Sequence, residues 1–157
     1  MKPSVEWQWK RFAELQPAEL YAALAARAAV FVVEQRCAFQ DADGWDRFAW
    51  HLLGWIREDG EHALVAYLRL IEPGRKYHEP SIGRVLTIAR CRGTGLGREA
   101  MRIALARSTE LYPGAPVRIA AQQRLEAFYA TLGFRVASDP YEEDGIVHVD
   151  MVRPASA

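Results

Sequence analysis

Three glycines, Gly93, Gly95 and Gly97, stand at alternate positions just ahead of a segment with helical periodicity. Glycines at the start of a helix leave backbone N–H groups uncovered where the helix dipole is positive. Such a loop is a ready binding site for a phosphate or another anion. Arg92 and Arg98 flank the glycines and add two fixed positive charges. The pattern therefore predicts a loop that holds the pyrophosphate of a cofactor, with the rest of a site built beside it.

Three phosphate-binding patterns compete for this loop. A Walker-type loop needs Lys followed by Ser or Thr after its last glycine, whereas Arg98 and Glu99 follow here. Residues 95–100 satisfy the dinucleotide pattern G-x-G-x-x-A, but no acidic residue ends the next predicted strand to bind a ribose hydroxyl. The third pattern is Arg/Gln-x-x-Gly-x-Gly/Ala at the start of a helix, and residues 92–97 match it fully, from Arg92 through Thr94 and Leu96 to Gly97.

The elements that must position this loop follow from hydrophobic periodicity. In chain order they are a strand at 5–9, a helix from Pro17 to near Gln35, strands at 50–57, 63–71 and 82–88, a helix at 96–111, a strand at 117–121, a helix at 125–132, and strands at 134–136 and 146–152. Asp59-Gly60 is a hairpin signal between two of these strands. Because a helix separates the strands at 82–88 and 117–121, we expect those two to be parallel. The order predicts an α/β (α+β) fold with a mixed, mostly antiparallel sheet.

Composition narrows the class of protein. The chain has 157 residues, half of them hydrophobic, which suits one globular domain spanning residues 1–157. Lys plus Arg equals Asp plus Glu, so a nucleic-acid partner is not expected. No segment approaches the length of a membrane span, and the two cysteines are too few for a disulfide framework. We expect a cytoplasmic protein with no membrane partner.

Two motifs together resemble those of the GNAT superfamily of acetyl-CoA-dependent N-acyltransferases. The first is the glycine loop at 92–97, and the second is the segment Phe128-Tyr-Ala-Thr-Leu-Gly-Phe134, which is similar to the superfamily's F-Y-x-x-x-G-F. The predicted element order also matches that fold over nearly the whole chain. Within the superfamily, residues 30–35, the acidic loop after them and residues 141–148 resemble the ElaA-like branch. The resemblance implies a GNAT-like sheet in which one parallel strand pair splays apart, with flanking helices.

The resemblance also implies a set of cofactor contacts. Acetyl-CoA is the expected cofactor, and the pantetheine arm would bind backbone groups of the strand before the glycine loop. The implied cofactor-binding residues are Leu86, Thr87, Ile88, Arg92, Gly93, Thr94, Gly95, Leu96, Gly97, Arg98, Gln122, Phe128 and Tyr129. Tyr129 matches the position whose hydroxyl protonates the departing thiolate in members that use one. Gln122 replaces an Asn that contacts the cofactor in many relatives, which keeps an amide but lengthens its reach.

The catalytic base has several candidates. Many relatives carry a Glu on the strand before the loop, but the strand at 82–88 has no carboxylate and has Arg84 instead. The candidates for the base are Glu34 at the end of the first helix, His51 or His148 on flanking strands, and an ordered water chain. His51 shares a strand face with Leu53, which favours a buried histidine with satisfied hydrogen bonds.

The acceptor is expected to be an amine of a small molecule or a peptide. The acidic loop at 37–47 is interpreted as a structural or substrate-facing loop and not as a calcium site, because its order of residues differs from an EF-hand. Its carboxylates would favour a cationic amine, whereas Arg69 and Arg84 would instead anchor a carboxylate or phosphate of the acceptor. Two tryptophans, Trp45 and Trp50, are candidates for a homodimer contact or for the wall of a substrate pocket.

Two other functions are compatible with the loop. A non-catalytic acyl-CoA-binding sensor on the same fold would explain the missing carboxylate on the strand at 82–88. A nicotinamide-dependent enzyme would explain the pattern at 95–100, but it requires the acidic residue that the chain lacks near Ala121. No metal ligands are predicted.

Overall fold

The computed structural model describes residues 4–155. The strands are β1 (Glu6–Arg11), β2 (Ala49–Glu58), β3 (Glu61–Ile71), β4 (Ser81–Thr87), β5 (Val117–Gln122), β6 (Arg135–Val136), β7 (Tyr141–Glu143) and β8 (Ile146–Arg153), and the α-helices are α1 (Pro17–Arg27), α2 (Leu96–Leu111) and α3 (Glu126–Ala130). The predicted strands and helices are all present, with ends that differ by a few residues, and β7 is an additional strand.

All the strands belong to one mixed sheet in the order β1-β2-β3-β4-β5-β8-β6, with β7 also paired to β8. β1 to β4 form an antiparallel meander, and β5 pairs antiparallel with β8. β4 and β5 are parallel, as predicted, but share only the pair Ser81 and Arg118. Beyond that pair the two strands diverge, which opens the sheet at its centre.

Helices cover both faces of the sheet. On one face α2 packs its buried residues Met101 and Ala104 against Leu68 and Leu70 of β3. On the other face α1 contributes Ala23 to a second cluster, which includes Tyr67 of β3. Neighbouring residues of β3 therefore face opposite layers, as the pleat of a strand requires.

The first helix changes its hydrogen-bonding pattern partway along. Glu19 accepts a hydrogen bond from the Gln16 N–H at 2.7 Å, and Pro17 occupies the first turn, so the start of α1 matches a capped helix. The prediction of one helix to Gln35 is only partly right, because α1 continues as a π-helix over Ala28–Glu34. That segment is rich in β-branched valines, which lower α-helical propensity.

One strand, β7, is not predicted by the sequence. Tyr141–Glu143 pairs with the start of β8, whereas the polar run Glu142-Glu143-Asp144-Gly145 resembles a loop. Asp144 and Gly145 adopt positive φ angles of 51° and 80°, so a tight turn joins the two strands. Its two glutamates are exposed and Tyr141 is half-buried, so the segment lacks the apolar alternation that predicts a strand.

Candidate active site

The glycine loop lies where β4 passes into α2. Gly93 and Gly95 have φ angles of 76° and 87°, in the left-handed region that favours glycine, and Gly95 is the N-cap of α2. No atom lies within 4 Å of a Cβ built on either residue, so the space above the loop is open. The Thr94 hydroxyl donates to the Cys91 carbonyl at 2.6 Å and fixes the turn. A helix of 16 residues thus presents its N-terminus to an open concave surface.

The divergence of β4 from β5 leaves one edge of β4 unpaired near its end. Thr87 pairs with Ala66 of β3, and the N–H of Ile88 donates to the Val65 carbonyl at 3.0 Å. Successive peptide groups of a strand point to opposite sides, so the backbone groups of Thr87 point toward β5. Among Leu86, Thr87 and Ile88, Thr87 therefore directs its backbone groups to the opening, where its carbonyl accepts from Arg92 Nε at 3.0 Å, while the Ile88 N–H is bonded to β3.

A bulge interrupts β4 at Arg84. The register with β3 shifts between Tyr67 and Arg69, and Arg84 has a φ angle of 51°, which is unusual for a residue with a Cβ. The Arg84 side chain is held by Asp41, with an Nε to Oδ1 distance of 2.8 Å. This tertiary anchor keeps the strained conformation in place.

One cavity of about 990 Å³ runs from the glycine loop into the opening between β4 and β5. At one end, which we call the cofactor end, predicted site residues line the cavity, namely Thr87, Arg92, Gly93, residues 95–98, Gln122, Phe128 and Tyr129. The other end, which we call the acceptor end, is lined by Phe39, Asp43, Trp45, Arg69, Lys76, Tyr77, Arg84, Glu143 and Asp144. Two of the candidate bases, Glu34 and His148, also line the cavity, whereas His51 does not. The structure therefore brings most of the predicted residues to one concave surface, although Ile88 and Thr94 do not line it.

Tyr129 lies on α3 and is buried, with 7% of its surface exposed. Its ring packs edge-on against Phe128 and Phe134. Burial raises the pKa of Tyr129 to about 12, although the positive charge of Arg124 acts in the opposite direction. The hydroxyl therefore stays protonated at neutral pH, which is the form that a general acid requires.

His148 lies on β8 opposite Gln122 of β5, at the mouth of the opening. Its Nδ1 is 2.8 Å from the Ile146 carbonyl, which can only accept a hydrogen bond, so Nδ1 carries the proton. The neutral ring then has its lone pair on Nε2. Its ring also stacks on Tyr141, with centroids 6.0 Å apart, which fixes its orientation.

Glu34 is in a different state. Its carboxylate receives two hydrogen bonds from the guanidinium of Arg92, and the Arg92 Nε donates to the Thr87 carbonyl at 3.0 Å. The hydrogen bonds from Arg92 lower the pKa of Glu34, so the group is a weaker proton acceptor. The ion pair of Glu34 with Arg92 links the end of the first helix to the glycine loop.

Gln122 joins the same region from the β5 side. Its Nε2 donates to Gln35 Oε1 at 3.1 Å, and its Oε1 accepts from Arg124 Nε at 3.0 Å. Arg98 lies over the Phe128 ring, 5.3 Å from the centroid, and donates to the Thr131 hydroxyl. Three arginines, Arg92, Arg98 and Arg124, therefore line the cofactor end of the cavity.

A buried network of charges forms the floor of the acceptor end. Arg27 and Arg69 are almost fully buried, and Arg84 lies beside them. Three aspartates neutralise them, and the ion pairs are Arg27 with Asp41 and Asp46, Arg69 with Asp43 and Asp46, and Arg84 with Asp41 and Asp43. The network is not predicted by the sequence, in which the density of aspartates in the loop at 37–47 is the one feature that points to it. Because these carboxylates are all paired, they do not form a free acidic surface for a cationic amine.

His51 belongs to the same buried region. Its Nε2 lies 2.9 Å from the Asp46 carbonyl and its Nδ1 lies 2.7 Å from the Tyr67 hydroxyl. The carbonyl accepts from Nε2, so Nδ1 accepts from the tyrosine. The prediction of a buried, satisfied histidine is confirmed, and burial lowers its pKa.

Of the two tryptophans, Trp45 lines the cavity, whereas Trp50 stacks on Trp9 with ring centroids 5.8 Å apart. Within residues 4–155, no group of three or more His, Cys, Asp or Glu side chains is placed to hold a metal ion. In the same range no helix is long and apolar enough to cross a membrane.

Comparison with known proteins places the chain among close relatives. The family model described as "Acetyltransferase (GNAT) domain" matches residues 53–154. A UPF0039 protein of Synechocystis is 43% identical over 148 residues, which is 94% of each chain. The ElaA protein of Escherichia coli is 40% identical over 151 residues, covering 95% of this chain and 96% of its own. The crystal structure of an acyl-CoA N-acyltransferase from Pseudomonas aeruginosa, 42% identical, matches with a TM-score of 0.89 and covers 96% of this chain and 99% of that chain.

Proposed function

The chain belongs to the GNAT acetyltransferase family, and from that membership we propose that it moves an acetyl group from acetyl-CoA to a primary amine of a small molecule or peptide by direct transfer. The observation that carries the proposal is the single cavity that joins the glycine loop to Tyr129 and His148. A site for a phosphorylated donor and a site for a second substrate thereby meet at groups able to give and take protons.

The residues at the cofactor end fit an acyl-CoA. The open N-terminus of α2 and the charges of Arg92 and Arg98 suit a pyrophosphate, and the unpaired edge of β4 at Thr87 suits the amide groups of pantetheine. Acetyl-CoA would supply the thioester carbonyl carbon that accepts the amine lone pair and the thiolate that leaves as the amide forms. Holding both reactants in one cavity would contribute much of the rate.

Tyr129 and His148 would carry out the two proton transfers of the reaction. Tyr129 would donate its hydroxyl proton to the departing sulfur and later recover a proton from solvent. The lone pair on Nε2 of His148 would accept the proton that the attacking amine loses, directly or through one water. We favour His148 over Glu34 as the base, because Glu34 is bound by Arg92 and its pKa is lowered. Glu34 would then position Arg92 at the cofactor end.

We further propose that residues 1–157 form a single catalytic domain that acts in the cytoplasm. All strands of the described chain belong to one sheet, which supports a single domain. Cys37 and Cys91 are both free thiols, which agrees with a reducing compartment.

The first test is ligand-dependent stability of the whole protein. A ligand that binds the native state raises the unfolding temperature, so acetyl-CoA should raise it and NAD should not. The variant Gly95→Val should lose the response to acetyl-CoA, because a side chain would enter the space above the loop and φ at this position is 87°. Gly114→Val is the matched control, since it has a φ angle of 80° and lies outside the cavity. Stabilisation by NAD alone would contradict the proposal.

The second part of the test is turnover. Acetyl-CoA is incubated with a panel of primary amines, and release of the free thiol is followed together with the mass of the acetylated amine. Acetylation of at least one amine is expected. Binding of acetyl-CoA without acetylation of any amine would instead favour an acyl-CoA sensor.

A further inference from the structure

Three cationic side chains lie together at the acceptor end of the cavity. Arg69 comes from β3, Lys76 from the loop between β3 and β4, and Arg84 from the bulge of β4, and all three line the cavity. Arg69 and Arg84 are joined through Asp43, whose Oδ2 accepts from Arg69 at 2.6 Å and from Arg84 at 3.2 Å, and Lys76 lines the same cavity. A ligand at this end of the cavity therefore meets a positive wall.

The charges of this wall do not cancel. Arg27, Arg69 and Arg84 are matched by Asp41, Asp43 and Asp46, each of which is ion-paired. Lys76 forms no ion pair with any residue in the range 4–155. The cluster of buried ion pairs together with Lys76 thus carries one net positive charge. One N–H donor of the cluster, Arg69 Nε, is also buried without a hydrogen-bond partner among these residues.

The surroundings of Lys76 support an excess of positive charge. The residue is exposed as a whole, but its side chain lines the cavity, and desolvation there, followed by the charges of Arg69 and Arg84, lowers its pKa. The carboxylates of Asp43 and Glu143 act in the opposite direction without reversing it. Asp43 is already shared between two arginines, and Glu143 lies on the exposed edge strand β7.

Taking the proposed acetyl transfer as its basis, we propose that Lys76, with Arg84 beside it, binds a carboxylate of the acceptor, which is therefore an amine that also carries a carboxylate, such as an amino acid. A single excess charge matches a carboxylate better than a doubly charged phosphate. Glu143, at the end of β7, and Asp144, in the turn before β8, line the same cavity, and β8 carries His148. Their negative charges attract the ammonium form of the amine toward the base, so both charges of a zwitterion find a counterpart.

The experiment compares two kinds of reaction product. N-acetyl amino acids keep the carboxylate, and the corresponding N-acetyl amino acid amides lack it. Binding to the full chain saturated with CoA is measured by saturation-transfer NMR and calorimetry. Wild type should bind the acids more tightly than the amides, by about ten- to a hundredfold, the range expected for hydrogen bonds to a charged group. Free amino acids and their amides are compared as acetyl acceptors in parallel.

Two variants locate the effect. Lys76→Met should abolish the preference for the acid and leave binding of the amides unchanged, and Lys76→Arg should retain the preference. Arg75→Met is the matched control, because Arg75 carries the same charge one residue away but pairs with Glu72 and packs over Phe48 outside the cavity. It should retain the preference fully.

The inference is overturned if acids and amides bind equally, if the amides bind better, if neither binds, or if Lys76→Met keeps the preference. Each of these outcomes can occur while acetyl-CoA still stabilises the protein, so the inference fails separately from the proposed function. Loss of acetyl-CoA binding in the wild type would instead contradict the proposed function itself.

Discussion

At the scale of single residues, the proposed chemistry depends on how the environment sets the protonation of Tyr129 and the tautomer of His148. Tyr129 is buried, and burial raises its pKa to about 12, so that the hydroxyl retains its proton at neutral pH. His148 has one ring nitrogen bonded to a carbonyl and the other available. Proton donor and proton acceptor are therefore distinguished by geometry and burial rather than by residue type alone.

Replacing Tyr129 by Phe should lower kcat about a hundredfold, the usual contribution of a general acid. KM for acetyl-CoA should change little, because the ring still fills the space between Phe128 and Phe134. Steady-state kinetics with an amine identified by the panel, measured across the pH range, checks this. Unchanged turnover at every pH would rule out the assignment of Tyr129 as the acid.

His148→Gln and Glu34→Gln serve as reference variants in the same measurement. Loss of the base at His148 should lower kcat/KM most where the amine is largely protonated. Glu34→Gln should mainly alter KM for acetyl-CoA, since the glutamate binds Arg92. The opposite assignment of effects would make Glu34 the base.

At the scale of elements, one close approach between β1 and β2 connects the meander to α2. Trp7 pairs with Gly54, and a Cβ built on Gly54 would lie 2.7 Å from Cζ3 of the Trp7 ring. The indole Nε1 donates to Glu99 in the first turn of α2 at 2.9 Å. Because Gly54 has no side chain, Trp7 can lie across it. Trp7 thereby connects the edge of the sheet to α2, the helix that follows the glycine loop.

Gly54→Ala should therefore destabilise the protein by about 1–3 kcal/mol, the usual cost of overpacking. Denaturant unfolding followed by tryptophan fluorescence measures the free energy of unfolding. Gly83→Ala in β4 is the matched control, since no atom lies within 4 Å of its Cβ and φ lies outside the left-handed region. Equal stability of the two variants would show that Trp7 moves aside without cost.

At the scale of the whole molecule, the buried charge network joins parts of the chain that are far apart in sequence. Arg27 of α1, the loop at 41–46, Arg69 of β3 and Arg84 of β4 meet beneath the acceptor end. Burial opposes ionisation of Asp46, but the hydrogen bonds and charges of Arg27 and Arg69 overcome it and lower its pKa. Burial likewise lowers the pKa of the neighbouring His51.

These shifts predict that stability falls in two steps as the pH is lowered. His51 has a folded pKa below its ordinary 6.5, so its contribution is full above that pH and is lost as the unfolded chain takes up a proton below it. Asp43 and Asp46 have folded pKa values below their ordinary 3.8, so their contribution is lost below that pH. Each contribution is about 1.4 kcal/mol per unit of separation between the two pKa values.

Denaturant midpoints measured between about pH 8 and pH 3 test this expectation. His51→Gln should remove the first step, and the exposed His62→Gln should leave it intact. A free energy of unfolding that stays constant from pH 7 to pH 5 in the wild type would contradict the role given to His51.

The sequence by itself determined the features that depend on neighbours along the chain. The glycine loop, the start of α2 at Leu96 and the amphipathic strands are encoded in local spacing, because helices and strands place side chains with fixed periods. Conversely, the polar edge strand at 141–143 and the π-helix at 28–34 were not predicted, since neither has a period that distinguishes it from a loop or an α-helix.

Only the tertiary structure decided what faces the cavity. Asp41 and Arg84 are 43 residues apart, and Arg92 and Glu34 are 58 apart, so no local pattern relates them. The acidic loop that suggested attraction for a cationic amine turned out to be neutralised by arginines from three elements. No motif in the sequence singles out Lys76, yet in the structure it is a cation without an ion-pair partner in residues 4–155. The physical reason is that charge depends on which distant groups meet, and that is fixed by how the layers pack.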